Sequence, residues 1–273
     1  MGKILFAGIA VLFANVLANA QQTNRTTPAK EAPLNRVDCK ELPLTITRLD
    51  AADKRLQDWA QLQRYRELNA QLPAPAKDED RVVFMGDSIT DDWSNTQFGG
   101  FFPAKPYVNR GISGQTTPQM VVRFRPDVIA LQPKVVVILA GTNDLAGNTG
   151  AMSLAEIEGN LATMAELAKT HGIRVVLSSV MPVSDAISNS SGGTFLQTVK
   201  RPPEKILALN QWIKKYAEES GYVYLDYFSA TVDEKGALKT EFTYDGLHPN
   251  AQGYASMAPH AEKAIQQALQ QKP

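Results

Sequence analysis

Residues 135–144 read VVVILAGTND, and the apolar half of this stretch is the strongest indication of the chain's architecture. A continuous run of mostly β-branched residues over 135–140 suits a strand that is buried on both faces of a parallel sheet. The polar residues that follow would lie beyond the C-terminal end of that strand, where open parallel sheets bind their ligands. The stretch therefore predicts a central strand with a candidate functional loop at its end.

Shorter apolar runs lie on both sides of this strand, and helical patterns separate them. Further strands are predicted over 82–85, 106–109, 173–180 and 222–225, and helices over 51–72, 117–131, 153–172, 204–219 and 250–269. Ser153 and Glu156 form a capping box at the start of one helix, and Pro259 predicts a kink or break in the last. Strands that alternate with helices predict one α/β domain whose parallel sheet is covered by helices on both faces.

The bulk composition is that of a globular protein with one substantial core. The chain has 273 residues, is 44% hydrophobic, and carries 28 Lys and Arg against 28 Asp and Glu. This balance, without a basic cluster, gives no indication of a nucleic-acid partner. Cys39 is the only cysteine, so no disulfide can form within the chain. These features fit a secreted or periplasmic enzyme better than a small disulfide scaffold.

The N-terminus has the layout of a cleavable secretory signal. Lys3 precedes an apolar run over 4–17, which ends in Ala18-Asn19-Ala20. An uncleaved membrane anchor is the alternative, but the run is short for a membrane span. We therefore predict a signal peptide over 1–20, an extended leader over 21–45 and one domain over 46–273 that begins with a helix. A secreted or periplasmic protein without stable membrane insertion after cleavage is expected, and Cys39 lies too far past the cleavage point for a lipid anchor.

Chemically useful residues follow the ends of the predicted strands. Ser88 comes directly after the first strand, Gly114 follows the second, Asn143 follows the third, and Asp245 and His248 lie beyond the fifth. The C-terminal ends of parallel strands meet at one edge of a sheet. We therefore expect these four segments to face the same site.

His248 is a candidate base, because Asp245 can hold one ring nitrogen and leave the other free to take a proton. Ser88 would be the nucleophile, since a serine hydroxyl is weak until a base takes its proton. The Ser88 and Gly114 N–H groups and the side-chain amide of Asn143 are three donors for the oxyanion of an attacked ester. The pattern predicts acyl transfer to water, with no cofactor and no metal.

Each of these residues also has a structural interpretation. Ser88 alone is more often a helix N-cap, Gly114 most often marks a turn, and Asn143 is as often a cap or turn residue. Asp245 could cap the last helix, and His248 could be a surface loop residue. It is their joint arrangement after successive strands that favours catalysis.

Two other functions fit part of this pattern. A metal-dependent hydrolase could use Asp87, Asp245 and His248, but a single histidine provides few ligands for a transition metal. A non-catalytic carbohydrate-binding module on the same scaffold is also compatible, since a fold does not guarantee activity. Activity that survives EDTA but is lost to an organophosphate distinguishes the serine enzyme from the metal enzyme.

The four segments resemble the motif blocks of the SGNH (GDSL-type) esterase/lipase superfamily over roughly residues 80–270. The resemblance implies a three-layer α/β/α sandwich with a flavodoxin-like sheet in the order 2-1-3-4-5. It also implies Ser88 as nucleophile, His248 as base and Asp245 as its orienting acid, with Gly114 and Asn143 completing the oxyanion hole. Ile89 replaces the usual leucine after the serine. The chain is most similar to bacterial acylhydrolases of the lysophospholipase and platelet-activating-factor acetylhydrolase type.

The loops after the strands are expected to set specificity. Asp87, Trp93, Phe101 and Phe102 are candidates for substrate contacts, although core packing is the alternative for the aromatic residues. No long apolar lid is visible in the sequence. We expect a small-molecule or saccharide ester as substrate, with a short acyl group, acetyl above all, on a sugar or other polar alcohol. Longer acyl chains, as in a lysophospholipase or thioesterase, are the alternative.

Overall fold

The computed structural model of the protein describes residues 42–188 and 193–271. The chain divides into two units, residues 1–53 and 54–273. The described part of the first unit, residues 42–53, is helical, and the second unit holds the sheet and all the candidate site residues. The predicted signal peptide and residues 21–41 of the predicted leader lie outside the described residues.

Five parallel strands form one sheet in the order β2-β1-β3-β4-β5, as the resemblance implied. The strands are β1 (Val82–Gly86), β2 (Tyr107–Gly111), β3 (Val135–Leu139), β4 (Arg174–Ser178) and β5 (Val223–Leu225). All five predicted strands are confirmed. The chain order reverses between β1 and β3, so the loops that follow these two strands flank the crevice where such sheets bind ligands.

Alternate side chains of the central strands pack on opposite faces of the sheet, as the pleat requires. In β1, Val83 and Met85 join one hydrophobic cluster, whereas Val82 and Phe84 join the other. The residues of β3 divide between the same two clusters, and both strands are buried along their whole length. The continuous apolar run over 135–139 therefore follows from a strand that has no solvent face.

Helices cover both faces of this sheet. In chain order, the helices of the described residues are α1 (Leu42–Gln57), α2 (Arg66–Gln71), α3 (Ser88–Asp92), α4 (Thr117–Asp127), α5 (Thr142–Leu145), α6 (Leu154–Thr170), α7 (Gln197–Lys200), α8 (Pro203–Ser220), α9 (Tyr227–Thr231) and α10 (Ala251–Gln270). Helices α4, α6 and α8 bury their apolar side chains in one cluster, and α3, α9 and α10 in the other. The three-layer α/β/α architecture is confirmed. Of the helices in the described part of the chain, none is long and apolar enough to cross a membrane.

The N-terminal helical region differs from the prediction of one helix over 51–72. Helix α1 begins at Leu42 and ends at Gln57, and turns separate it from the short α2. The carboxylate of Asp58 accepts hydrogen bonds from the N–H groups of Leu62 and Gln63, at 2.7 and 3.0 Å. The predicted boundaries are wrong because this side chain closes a turn in competition with the helix. The leader predicted to extend to residue 45 also overlaps the start of α1.

The helix signals in the rest of the chain have mixed outcomes. The capping box of Ser153 and Glu156 is present at the start of α6. Of the kink or break expected at Pro259, the break is wrong, because α10 continues through this residue to Gln270, and the kink stays a prediction. A proline removes one backbone hydrogen bond, and Met257 and Ala261 on either side of it are fully buried in the core. Tertiary packing of α10 thus outweighs the local effect of the proline.

Candidate active site

Ser88, His248 and Asp245 form a hydrogen-bonded chain of side chains beyond the C-terminal ends of the strands. Nε2 of His248 lies 3.0 Å from Oγ of Ser88, and Nδ1 lies 2.6 Å from Oδ2 of Asp245. Ser88 follows β1, whereas His248 lies 160 residues later in the loop before α10. The fold therefore brings together the three residues that were predicted from the sequence as nucleophile, base and acid. An imidazole held by a carboxylate at Nδ1 can accept a proton at Nε2.

Ser88 is the first residue of α3 and lies in a sharp turn after β1. Asp87 is the N-cap of this helix, and its Oδ1 accepts a hydrogen bond from the N–H of Ile89 at 3.0 Å. The interpretation of Ser88 as an N-cap is therefore wrong. A Cβ added at Gly86 would overlap the side chain of Thr90, so the turn favours glycine two residues before the serine.

The loop that carries Asp245 and His248 is fixed by its own backbone. Oδ1 of Asp245 accepts hydrogen bonds from the N–H groups of Leu247 and His248, at 2.9 and 2.8 Å. Gly246 has a φ of +83°, and a Cβ there would overlap the carbonyl oxygen of Ser184. One carboxylate oxygen therefore holds the loop while the other holds the imidazole.

The alternative roles of Asp245 and Asn143 as helix caps are wrong. Asn250 caps α10, where its Oδ1 accepts hydrogen bonds from two backbone N–H groups. Gly141 occupies the N-cap position of α5, which places Asn143 inside the first turn. Both side chains are thereby left for the site.

The pKa values of Asp245 and His248 shift in opposite directions. Burial raises the pKa of Asp245, but the hydrogen bonds from His248 and Leu247 outweigh burial, so this pKa is below its ordinary value. Burial lowers the pKa of His248, but the hydrogen bond and charge of Asp245 and the charges of Asp87 and Asp92 raise it above 6.5. The carboxylate thus stays ionised beside a more basic imidazole.

Tyr244 contacts His248 from the same loop, and no sequence pattern predicts this contact. The tyrosine ring stacks on the imidazole at a centroid distance of 5.7 Å and an interplanar angle of 11°. Its hydroxyl donates to Oδ2 of Asp92 at 3.3 Å, and its ring also stacks on Phe98 at 6.2 Å. These contacts restrain the imidazole plane. A single exposed tyrosine beside the acid carries no sequence signal of its own.

Asn143 lies in the first turn of α5, which follows β3, and Gly114 lies on the loop that follows β2. Nδ2 of Asn143 donates to the carbonyl oxygen of Gln115 at 3.0 Å, which leaves the second hydrogen of the amide for another acceptor. Gly114 has a φ of +80°, and a Cβ built on it would meet no atom of the described residues within 4 Å. Gly114 is exposed, with open space where a side chain would begin.

The residues brought together here fall within one family match. The GDSL-like lipase/acylhydrolase family matches residues 84–256, a range that includes the serine, the acid, the base and both proposed oxyanion loops. The chain belongs to this family. By family, and by its similarity to an acylhydrolase and a lipase, it is assigned to the carboxylic ester hydrolases.

Two structures from Bacteroides are similar to this acylhydrolase family member over nearly their whole length. A candidate acylhydrolase from Bacteroides fragilis is 44% identical, with a TM-score of 0.70, covering 78% of this chain and 99% of its own. A GDSL-like lipase from Bacteroides thetaiotaomicron is 43% identical, with a TM-score of 0.69, covering 77% and 98%. The uncharacterized lipoprotein YqeF of Bacillus subtilis is 37% identical over 119 residues, 37% of this chain and 49% of its own length. The chain thus spans about half the length of that curated relative.

Two side chains before α8 connect the segments of this candidate site, and neither was predicted. The guanidinium of Arg201 donates to Oδ1 of Asn143 at 3.3 Å and to Oγ1 of Thr142 at 3.0 Å. It also donates to Oε1 of Gln197 at 3.0 Å, and the amide of Gln197 donates to the carbonyl oxygen of Asp245 at 3.1 Å. Arg201 and Gln197 thereby connect Asn143 in α5 to the loop that carries Asp245. Apart from the bond between Arg201 and Gln197, these contacts join residues far apart in sequence, and no local pattern indicates them.

The aromatic candidates for substrate contacts pack in the core. Trp93 and Phe102 are only 4% and 7% exposed, and their ring centroids lie 5.0 Å apart. Phe101 is partly buried and packs edge-on against Phe84 at 5.0 Å. The core alternative therefore accounts for where these rings lie, and Trp93 and Phe102 offer little surface to a substrate.

Asp87 is fully buried, so it exposes no surface to a substrate. Its Oδ2 has no hydrogen-bond partner among the described residues, and burial raises its pKa to about 6. The geometry of Asp87 is that of a helix cap beneath the turn that carries Ser88.

The metal alternative requires a cluster of ligands. In the described part of the chain, no group of three or more His, Cys, Asp and Glu side chains is placed to hold an ion.

The buried carboxylate of Asp87 is expected to make stability depend on pH. Because its pKa rises from 3.8 to about 6 on folding, the folded state holds a proton that the unfolded state releases. This contribution falls as pH rises between about 4 and 6. Replacing Asp87→Asn removes the titration, so the stability of the variant relative to wild type should increase by about 2 kcal/mol between pH 4.5 and 8. Urea denaturation at both pH values measures this difference.

The control for this prediction is Asp78→Asn, which removes an exposed carboxylate. Its stability relative to wild type should be the same at both pH values. An equal pH dependence in the wild type and in Asp87→Asn would contradict a raised pKa at this position.

Proposed function

We propose that the protein is a serine esterase that hydrolyses carboxylic esters through an acyl-serine intermediate. The observation that carries this proposal is the hydrogen-bonded chain from Ser88 through His248 to Asp245. Such a chain activates a serine hydroxyl, because the imidazole can take its proton as the oxygen attacks a carbonyl. Membership in a family of acylhydrolases supports the same chemistry.

In the proposed mechanism, His248 acts first as base and then as acid. Nε2 takes the Ser88 proton, Oγ bonds to the ester carbonyl carbon, and the tetrahedral intermediate collapses as the imidazolium gives the proton to the departing alcohol. Water then repeats the sequence on the acyl-serine and releases the carboxylic acid. Asp245 stays ionised throughout and stabilises the imidazolium.

The proposed oxyanion hole consists of the N–H groups of Ser88 and Gly114 and the amide of Asn143. Its support is geometric: Asn143 has an amide hydrogen left after its bond to Gln115, and Gly114 is open to its surroundings. Arg201 is then a positioning residue, since its bond to Oδ1 of Asn143 fixes which end of the amide points toward the substrate. Preplaced donors of this kind stabilise the charge that develops in the transition state.

We further propose that the substrate carries a short acyl group on a sugar or other polar alcohol. This proposal takes the enzyme to act outside the cytoplasm. The signal pattern at the N-terminus supports that location, as does a relative that is named as a lipoprotein. Secreted or periplasmic enzymes meet soluble saccharide esters there. The alternative, a lysophospholipase or thioesterase, requires a site that accommodates a long alkyl chain.

A panel of p-nitrophenyl esters tests this function. We expect kcat/KM to be highest for the acetate and to fall by at least about tenfold for the octanoate and further for the palmitate, because a site for short chains provides no apolar surface for the added methylenes. Activity should survive EDTA and be lost on treatment with an organophosphate that labels Ser88. Faster turnover of the palmitate would favour the long-chain alternative, and inactivation by EDTA would favour a metal enzyme.

A further inference from the structure

We propose that an open cavity of about 800 Å³ beside the Gly114 loop binds the saccharide part of the ester as a neutral sugar. This inference rests on the proposed esterase function and names its alcohol component. The residues that line the cavity are Asp58, Trp59, Gln61, Ser113, Gly114, Gln119, Asn148 and Thr149. Because Gly114 is both a lining residue and a proposed oxyanion donor, a ligand in the cavity would lie next to the reacting ester.

One wall of the cavity is a turn that other parts of the domain hold in place. Gln119 donates to the carbonyl oxygen of Trp59 at 2.6 Å, and Gln115 donates to that of Ala60 at 2.9 Å. Both glutamines are buried. Gln61 adopts a left-handed backbone conformation with a φ of +55°, which is uncommon for a residue other than glycine. Buried side chains therefore fix a strained turn, and this turn presents Trp59.

The chemistry of the lining matches a neutral sugar. Trp59 is 42% exposed, and its indole offers a flat apolar face of the kind that packs against the C–H face of a pyranose ring. Ser113, Asn148 and Thr149 carry neutral hydroxyl and amide groups that can hydrogen-bond to sugar hydroxyls. A flat apolar surface with polar groups around it is the combination that a carbohydrate requires.

The charge of the lining disfavours other ligands. Among the described residues that line the cavity, Asp58 is the only charged one, and its carboxylate already accepts two backbone hydrogen bonds. A phosphate headgroup or a sugar acid would meet this negative charge, and the described lining contains no lysine or arginine to offset it. A long acyl chain would find one indole and otherwise polar groups. A neutral saccharide fits best.

The turn that carries Trp59 lies outside the family match, which begins at residue 84. Family membership therefore does not account for this wall of the cavity. Its attachment to Gln115, whose carbonyl oxygen also accepts the bond from Asn143, connects it with the proposed oxyanion hole. The cavity is thus placed to set the alcohol specificity of this particular chain.

The experiment compares Trp59→Ala and Trp59→Phe with wild type on monoacetylated methyl glucoside and on ethyl acetate. We expect Trp59→Ala to raise KM for the glucoside ester about tenfold, with an intermediate effect for Trp59→Phe, because the stacking surface is lost or reduced. The kcat for both esters and the kcat/KM for ethyl acetate should change less than about twofold, since the triad is intact. The control is Leu207→Ala, which removes an exposed apolar side chain on α8, away from the cavity lining. Its KM and kcat for both esters should match those of wild type.

A binding measurement separates this inference from the esterase function. Saturation-transfer NMR of unesterified methyl glucoside should show contact with the Ser88→Ala protein and a large loss of signal when Trp59→Ala is added to it. An unchanged KM for the glucoside ester in Trp59→Ala, with ethyl acetate still cleaved, would overturn the sugar site and leave the esterase standing. If the Ser88→Ala protein bound a monoacetylated methyl glucuronide or lysophosphatidylcholine more tightly than it binds monoacetylated methyl glucoside, the neutral-sugar site would also be overturned. If the wild type cleaves neither ester, the binding result alone decides the sugar site.

Discussion

Replacing Ser88→Ala is expected to lower kcat for p-nitrophenyl acetate by about 10⁴- to 10⁶-fold, while KM changes little. The Oγ that hydrogen-bonds to Nε2 of His248 is the only group at this position that can form the acyl intermediate in the proposed mechanism. The residual rate would come from the oxyanion donors and from binding. Steady-state kinetics with purified protein measures this loss, and mass spectrometry after brief acylation should detect the acyl adduct in wild type only.

The matched control for this variant is Ser256→Ala on α10, which removes a partly buried serine hydroxyl outside the site. Its kcat should stay within about twofold of wild type, and thermal denaturation should show that both variants remain folded. Esterase activity in Ser88→Ala equal to that of wild type would eliminate the proposed mechanism. An equal loss in both variants would point to unfolding and not to chemistry.

Replacing Asp245→Asn is expected to lower kcat by about 10⁴-fold. The carboxylate accepts a hydrogen bond from Nδ1 of His248 at 2.6 Å and leaves Nε2 without a proton. An asparagine amide can donate to Nδ1 instead, and the ring would then carry its proton on Nε2, where it cannot act as a base. The effect is therefore on the tautomer and charge of His248, with little change in shape.

The same variant should move the acid limb of the pH–rate profile. The base must be neutral to act, so kcat/KM rises as pH increases through the pKa of His248, which lies above 6.5 in wild type. Removing the charge and hydrogen bond of Asp245 lowers this pKa, so the limb should shift to lower pH for the residual activity. Asp226→Asn, which alters the N-cap of α9, should leave the limb unchanged. A limb at the same pH in Asp245→Asn and wild type would mean that Asp245 does not control the base.

The strands could be predicted from sequence because their signal is local. The continuous apolar run over 135–139 indicates a strand that is buried on both faces. The alternation of strands with helices along the chain then predicts a parallel sheet. The helix boundaries were less predictable. Asp58 interrupts the N-terminal helical region after α1 by accepting hydrogen bonds from Leu62 and Gln63, and Pro259 is tolerated because its neighbours are buried. Helix propensity along the chain predicts neither the turn at Asp58 nor the continuation of α10 through Pro259.

The residues of the candidate site also fall into a group that the sequence predicts and a group that it does not. Ser88, Gly114, Asn143, Asp245 and His248 could be selected from sequence because each lies after a strand, and strand ends share one edge of the sheet. Their supporting residues could not be selected. Arg201 reaches Asn143 across 58 positions and Tyr244 reaches Asp92 across 152, and such contacts exist only once the loops are packed together.

The sequence by itself thus determined the order of the strands along the chain, the alternation with helices and the residue types available for acyl transfer, because these depend on local periodicity and on the rule that parallel strands end together. Only the tertiary structure decided the contacts. It placed Nε2 of His248 at 3.0 Å from Ser88, buried Trp93 in the core and left Trp59 exposed beside the Gly114 loop. Whether an aromatic ring packs inside or faces a ligand depends on which distant segments cover it, and the sequence pattern around Trp93 and Trp59 does not contain that information.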